Sequence, residues 1–271
     1  MLLTKHGTRD DARWAMDGVL LPASLTLSTL LELRRESMLT RLKNLSPGEP
    51  VFGAEQAPID PDHEVWAAGV TYLRSREARR VESTAADMYD RVYEAARPEL
   101  FFKSTGWRVA GNNMPVRVRA DSRWNVPEPE LVLLINRYRE IVGYCAGNDV
   151  SSRDIEGENP LYLPQAKVYN GSCALGPGVL LCEPQEIEDI PIGLKIERAG
   201  ATVFEGETTT ATMKRTLSEL VDYLTRELDF PSGVFLMTGT CLIPGDNFTL
   251  QPDDIVSIRV GELRIENRVQ I

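Results

Sequence analysis

The chain has 271 residues, 42% hydrophobic and 26% charged, with a net charge of −10 and a sequence pI near 4.9. That composition suits a globular core and argues against nucleic-acid binding, which needs clustered Lys and Arg. No apolar run reaches the ~18 residues of a membrane span, and Met1–His6 carries no secretory h-region. Cys145, Cys173, Cys182 and Cys241 show neither CxxC nor zinc spacing, which reads as reduced thiols in a cytoplasmic protein. The two histidines, His6 and His63, sit in no nucleophile or zinc motif. Acid–base work is left to carboxylates, lysine, tyrosine or bound water.

From the N-terminus, Leu27, Leu30, Leu31, Met38 and Leu42 predict a helical stretch from Ser24 to Leu42. The Pro-rich, acidic run Ala57–Asp62 reads as a linker. It divides a small N-terminal domain, residues 1–62, from a catalytic domain, residues 63–271. Glu64–Val70 predicts a buried strand. A polar helix follows from Arg74 to about Ala96, a lid or a solvated surface helix, and ends before Pro98. Then strand signals dominate: Leu100–Lys103, a hairpin of Glu130–Ile135 and Glu140–Val150, and a strand at Val179–Cys182. Two more hairpins follow, Leu194–Glu197 with Thr202–Glu205, and Ile255–Val260 with Leu263–Val269. Thr216–Glu219 is a capping-box pattern, before an amphipathic helix marked by Leu217, Leu220, Val221, Leu224 and Leu228. Many hairpins and few helices predict a β-rich α+β fold.

The chemistry concentrates in Pro127-Glu128-Pro129-Glu130-Leu131. Residues two apart on a strand share a face, so Glu128 and Glu130 sit together. Like charges so placed need a cation, a shared proton or water between them. The hairpin register brings Asp149, from Gly147-Asn148-Asp149, beside them. Three carboxylates without His or Cys form an oxygen-only site, suited to Mg²⁺, Mn²⁺ or Ca²⁺ rather than zinc. Exposed Glu pairs on edge strands are also common, and the pattern alone does not choose.

Glu128-x-Glu130-Leu131 followed by Gly143-Tyr144, Asn148-Asp149, Ser151 and Arg153-Asp154 resembles the fumarylacetoacetate hydrolase superfamily. The likeness runs over about residues 64–271 and takes in Phe102-Lys103, Lys167, Leu175-Gly176-Pro177, Thr238-Gly239-Thr240 and Leu250–Val256. It implies a mixed β-sandwich roll, a homo-oligomer (dimer or tetramer) and Mg²⁺ or a related ion. By position it implies Glu128, Glu130 and Asp149 as metal ligands and Lys167 as the active-site lysine. Lys103, Thr240 and Arg153 are implied as substrate contacts. Each also has a plainer reading: a surface lysine, turn chemistry, and an Arg153–Asp154 ion pair.

The stretch Ser152–Lys167, with Gly69-Val70-Thr71-Tyr72 and Arg97–Lys103, is similar to the sugar-acid dehydratases of that superfamily. That likeness implies a lyase removing water from a 2-keto-3-deoxy sugar acid, such as 2-keto-3-deoxy-D-arabinonate, to give 2,5-dioxopentanoate. Glu99 is then the candidate acid for the leaving hydroxyl, although it also fits an ordinary Glu near a strand start. Hydrolases of the family carry a lid His–Glu pair. Here Ser75 and Ala78 occupy those positions, which counts against a Mg-dependent hydrolase of an acylpyruvate or similar diketo acid. Lys167 is the candidate base, provided its environment lowers its proton affinity.

Overall fold

The computed structural model describes residues 1–8, 11–46, 48–73 and 91–271. Its strands begin with β1 (Leu2–Thr8), β2 (Asp11–Met16), β3 (Val19–Leu20), β4 (Glu55–Gln56), β5 (Glu64–Gly69) and β6 (Glu99–Thr105). Next come β7 (Val116–Arg117), β8 (Asn125–Val126), β9 (Pro129–Ile135), β10 (Ile141–Asp149), β11 (Ser151–Ser152) and β12 (Cys173–Leu181). The last are β13 (Pro191–Arg198), β14 (Ala201–Thr209), β15 (Val234–Met237), β16 (Ile255–Val260) and β17 (Leu263–Gln270). Helices among the described residues include α1 (Leu27–Leu31), α2 (Arg35–Lys43), α3 (Arg153–Glu158), α4 (Leu163–Lys167) and α5 (Leu217–Thr225).

A ten-stranded mixed sheet runs β3-β2-β1-β12-β10-β9-β15-β5-β6, with β4 paired to the free half of β1. A five-stranded sheet, β14-β13-β16-β17-β7, packs against β9, β10 and β12. Sequence explains the difference between them. Every residue of β9 and β10 is buried, as expected for near-continuous apolar strands covered on both faces. In β17, buried and exposed residues alternate strictly, so one face meets the core and the other meets water. The two inner faces form one hydrophobic core. This is the β-rich α+β fold expected from the hairpins.

The three hairpins form as expected. β13 and β14 turn through Ala199 (φ 50°) and Gly200 (φ 79°), the left-handed pair that a two-residue hairpin loop requires. The Ser24–Leu42 stretch departs from expectation by splitting into α1 and α2. α1 starts at a Thr26–Thr29 capping box and stops by Glu32. α2 starts afresh where Arg35 N–H donates to Glu140 Oε2 at 2.7 Å, a long-range contact that periodicity does not reveal. α5 begins at Thr216, whose hydroxyl accepts from Glu219 N–H. It ends at Thr225, leaving Leu228 exposed. Glu219 pairs with Arg215. The segments on either side of residue 62 are hydrogen-bonded, since Leu2 and Leu3 on β1 pair with Leu180 and Val179 on β12. Most of the polar helix expected at 74–96, with Ser75 and Ala78, lies outside the described residues.

Candidate metal centre and active site

Three strand ends build the site. In the β9–β10 ladder Glu130 stands opposite Gly147 and Pro129 opposite Asn148. Asp149 N–H donates to Glu128 O at 2.9 Å. Oxygens of Glu128, Glu130 and Asp149 all lie within 4.8 Å of one another, and all three residues are buried. The donor set is oxygen alone, as a hard divalent cation prefers.

Cations compensate these carboxylates unequally. Glu128 pairs with Arg153 Nη2 at 2.8 Å and Lys167 Nζ at 2.7 Å. Asp149 pairs with Lys167 Nζ at 3.1 Å and Lys103 Nζ at 2.5 Å. Glu130 accepts Gly239 N–H at 2.6 Å. Burial, and then the Asp149 and Glu128 charges, push its carboxyl well above the ordinary range, against the pull of Lys167 and that N–H. A buried carboxylate driven toward its neutral form marks a place where a bound cation restores the charge. The residues therefore fit a divalent ion.

A narrow cleft opens onto the trio, lined also by Gly69, Val70, Glu99, Phe101, Glu156, Lys167, Gly239 and Thr240. Its free space is about 20 Å³, the size of one water or one ion. Lys167, Glu99 and Thr240 thus face the cleft together with all three carboxylates. Lys103 and Arg153 do not line it. Lys103 is fully buried, and besides Asp149 its ammonium reaches Lys167 O at 2.6 Å and Val150 O at 3.1 Å. Two carbonyls and a carboxylate of the protein thus surround the ammonium. Arg153 stands behind Glu128. Asp154 accepts from Ser122 Oγ, Arg123 N–H and Ile155 N–H.

Sequence reasoning passed over several cleft residues. Glu156, in the Ser152–Lys167 stretch, is buried and accepts from Ser151 Oγ at 2.7 Å. Phe101 places its ring 5.8 Å from Lys167 Nζ. The Gly239 N–H is a backbone group, for which only the Thr-Gly-Thr turn gives a sequence signal. Tyr72, the last residue of the Gly69-Val70-Thr71-Tyr72 motif, is buried.

The fumarylacetoacetate (FAA) hydrolase C-terminal family matches residues 64–270, and the chain belongs to it. It is 49% identical over 206 residues to a Haloferax volcanii protein named "Probable 2-keto-3-deoxyxylonate dehydratase", covering 75% of this chain and 70% of that one. It is 43% identical over 213 residues to the Saccharolobus solfataricus "2-dehydro-3-deoxy-D-arabinonate dehydratase", covering 76% and 70%. A solved structure of 2-keto-3-deoxy-D-arabinonate dehydratase, complexed with magnesium and 2,5-dioxopentanoate, superposes with a TM-score of 0.84. That pair is 32% identical, over 100% of this chain and 99% of the other.

Proposed function

We propose that this chain is a hydro-lyase that dehydrates a 2-keto-3-deoxy pentonate to 2,5-dioxopentanoate, with Mg²⁺ as its cofactor and Mn²⁺ or Ca²⁺ as substitutes. The observation that carries this reading is the cleft that holds Glu128, Glu130 and Asp149 beside Lys167, in a chain whose relatives bear the dehydratase names. A divalent cation held by the three carboxylates supplies Lewis acidity toward the keto acid's oxygens.

The residues of the chain divide the remaining work. Around the three carboxylates stand the cations Lys103, Lys167 and Arg153. A dication bound among them would favour the neutral form of a neighbouring ammonium. Arginine does not deprotonate, and Lys103 is walled off from the cleft. Lys167 is therefore the group to work as a neutral amine, taking the proton from C3. Glu99 delivers a proton to the C4 hydroxyl, which leaves as water. Tautomerisation then moves the unsaturation to C5 and yields the aldehyde. Thr240 contacts the substrate from the cleft wall, while Lys103 and Arg153 hold Asp149 and Glu128 in place. The working form is a cytoplasmic homo-oligomer, testable by light scattering of the purified protein.

The deciding assay offers 2-keto-3-deoxy-D-arabinonate with Mg²⁺, and an acylpyruvate in parallel. Formation of 2,5-dioxopentanoate that stops on chelation is the expected result. Pyruvate released from the acylpyruvate, with no dehydration, overturns the proposal in favour of a hydrolase.

A further inference from the structure

Gly69 closes β5 directly opposite Glu99, the first residue of β6. A β-carbon at Gly69 would lie 2.1 Å from Glu99 Oε2, 2.6 Å from its Cδ and 3.3 Å from its Cγ. No other group is among its three nearest neighbours. The Glu99 carboxylate is therefore folded across the bare α-carbon of Gly69. Backbone conformation does not explain the glycine, because Gly69 lies outside the left-handed region. At Gly106 and Gly143, by contrast, a β-carbon would strike backbone carbonyls at 2.0 and 2.5 Å.

The turn after Gly69 cannot slide aside. Val70, a β-branched residue, sits at φ 53° on the cleft wall, a conformation that persists only where surrounding structure imposes it. Thr71 Oγ1 donates to Thr238 O at 2.7 Å, and Lys214 N–H donates to Thr71 O at 2.9 Å. Gly239, beside Thr238, holds Glu130. With the backbone anchored on both sides, a methyl group at position 69 would move the flexible carboxylate and leave the strand in place.

From this packing we infer that Gly69 is a positioning residue: its missing side chain sets where the Glu99 carboxylate stands in the cleft. The inference rests on the reading of Glu99 as the acid of the dehydration, and the experiment separates the two. Gly69→Ala, Glu99→Gln and the double variant are compared with wild type. Gly69→Ala keeps the wild-type melting temperature within a few degrees and its rise with Mg²⁺. Its kcat for dehydration falls at least tenfold, with KM within about threefold. Deuterium exchange at C3 of 2-oxobutanoate, which has no C4 hydroxyl to lose, continues at the wild-type rate. In the Glu99→Gln background, Gly69→Ala adds no further loss. An equal tenfold loss in that background, or unchanged kcat in Gly69→Ala, overturns the inference. If Gly69→Ala folds poorly, the Gly69→Ala/Glu99→Ala variant decides. Recovered stability supports the clash with Glu99, and equal instability overturns it. Wild-type dehydration by Glu99→Gln would instead sink the acid assignment. A crystal structure of Gly69→Ala then still reads the positioning, through displacement of the Glu99 carboxylate.

Discussion

Among the three carboxylates, Glu130 depends most on a bound cation, because burial and two like charges work against one backbone N–H and the more distant Lys167. Glu130→Gln is expected to abolish both turnover and the rise in melting temperature with Mg²⁺. For wild type that rise corresponds to about 2.7 kcal/mol at a hundredfold excess over Kd, and thermal unfolding with and without the ion measures it. Lys167→Ala separates binding from chemistry. It keeps the Mg²⁺ response and loses turnover by roughly 10²–10⁴-fold, the usual worth of a general base. Turnover near wild type would remove Lys167 from the proton transfer. Glu128, Glu130, Asp149 and Lys167 were legible as a set because the ordered motifs around them carry the resemblance. Gly69 was not, because its closeness to Glu99 depends on the residue that stands opposite it across β5 and β6.

At the scale of elements, the central ladder tolerates little added volume. Gly147 faces Glu130 across β9–β10, and a β-carbon there would come within 2.4 Å of Val132 Cγ2 and 2.8 Å of Met237 Cε. Gly147→Ala therefore overpacks a buried layer next to the three carboxylates. It is expected to destabilise the fold by about 1–3 kcal/mol, read by chemical denaturation. Thr216→Ala removes the acceptor for Glu219 N–H at the start of α5, with an expected cost of about 1 kcal/mol. The strand elements were readable because a period of two and a turn are local signals. The break between α1 and α2 was not, because it depends on Glu140, 105 positions from Arg35.

Over the whole molecule, a buried polar network joins the N-terminal elements to the rest. Asp60 accepts from Trp14 Nε1, Lys5 Nζ and Ser28. Burial opposes its charge, but these partners prevail and hold its carboxyl below the ordinary range. His63 Nδ1 accepts from Asp60 N–H at 3.2 Å, and its Nε2–H donates to Ser232 O at 2.8 Å. Burial lowers its proton affinity despite Asp60 and Ser232. Below the ordinary value of 6.5 the unfolded chain binds a proton that the folded chain resists, so stability falls as pH drops from there. The melting temperature is expected to decline below that pH, and His63→Gln flattens the decline. Saturating Mg²⁺ is required. In metal-free protein the raised Glu130 carboxyl contributes the opposite sign, with stability lost as pH rises above 4.5.

What the sequence determined by itself is local or collinear: strand alternation, hairpin turns, a cluster of carboxylates without His or Cys and the motif order of the family. Those features need only neighbours along the chain or one ladder of register. The tertiary structure alone decided which charges meet. Lys103, Arg153 and Lys167 are all motif residues and all buried, yet Lys167 lines the cleft while Lys103 and Arg153 pair with Asp149 and Glu128 from outside it. Depth in a fold depends on how sheets pack, and no linear pattern records it.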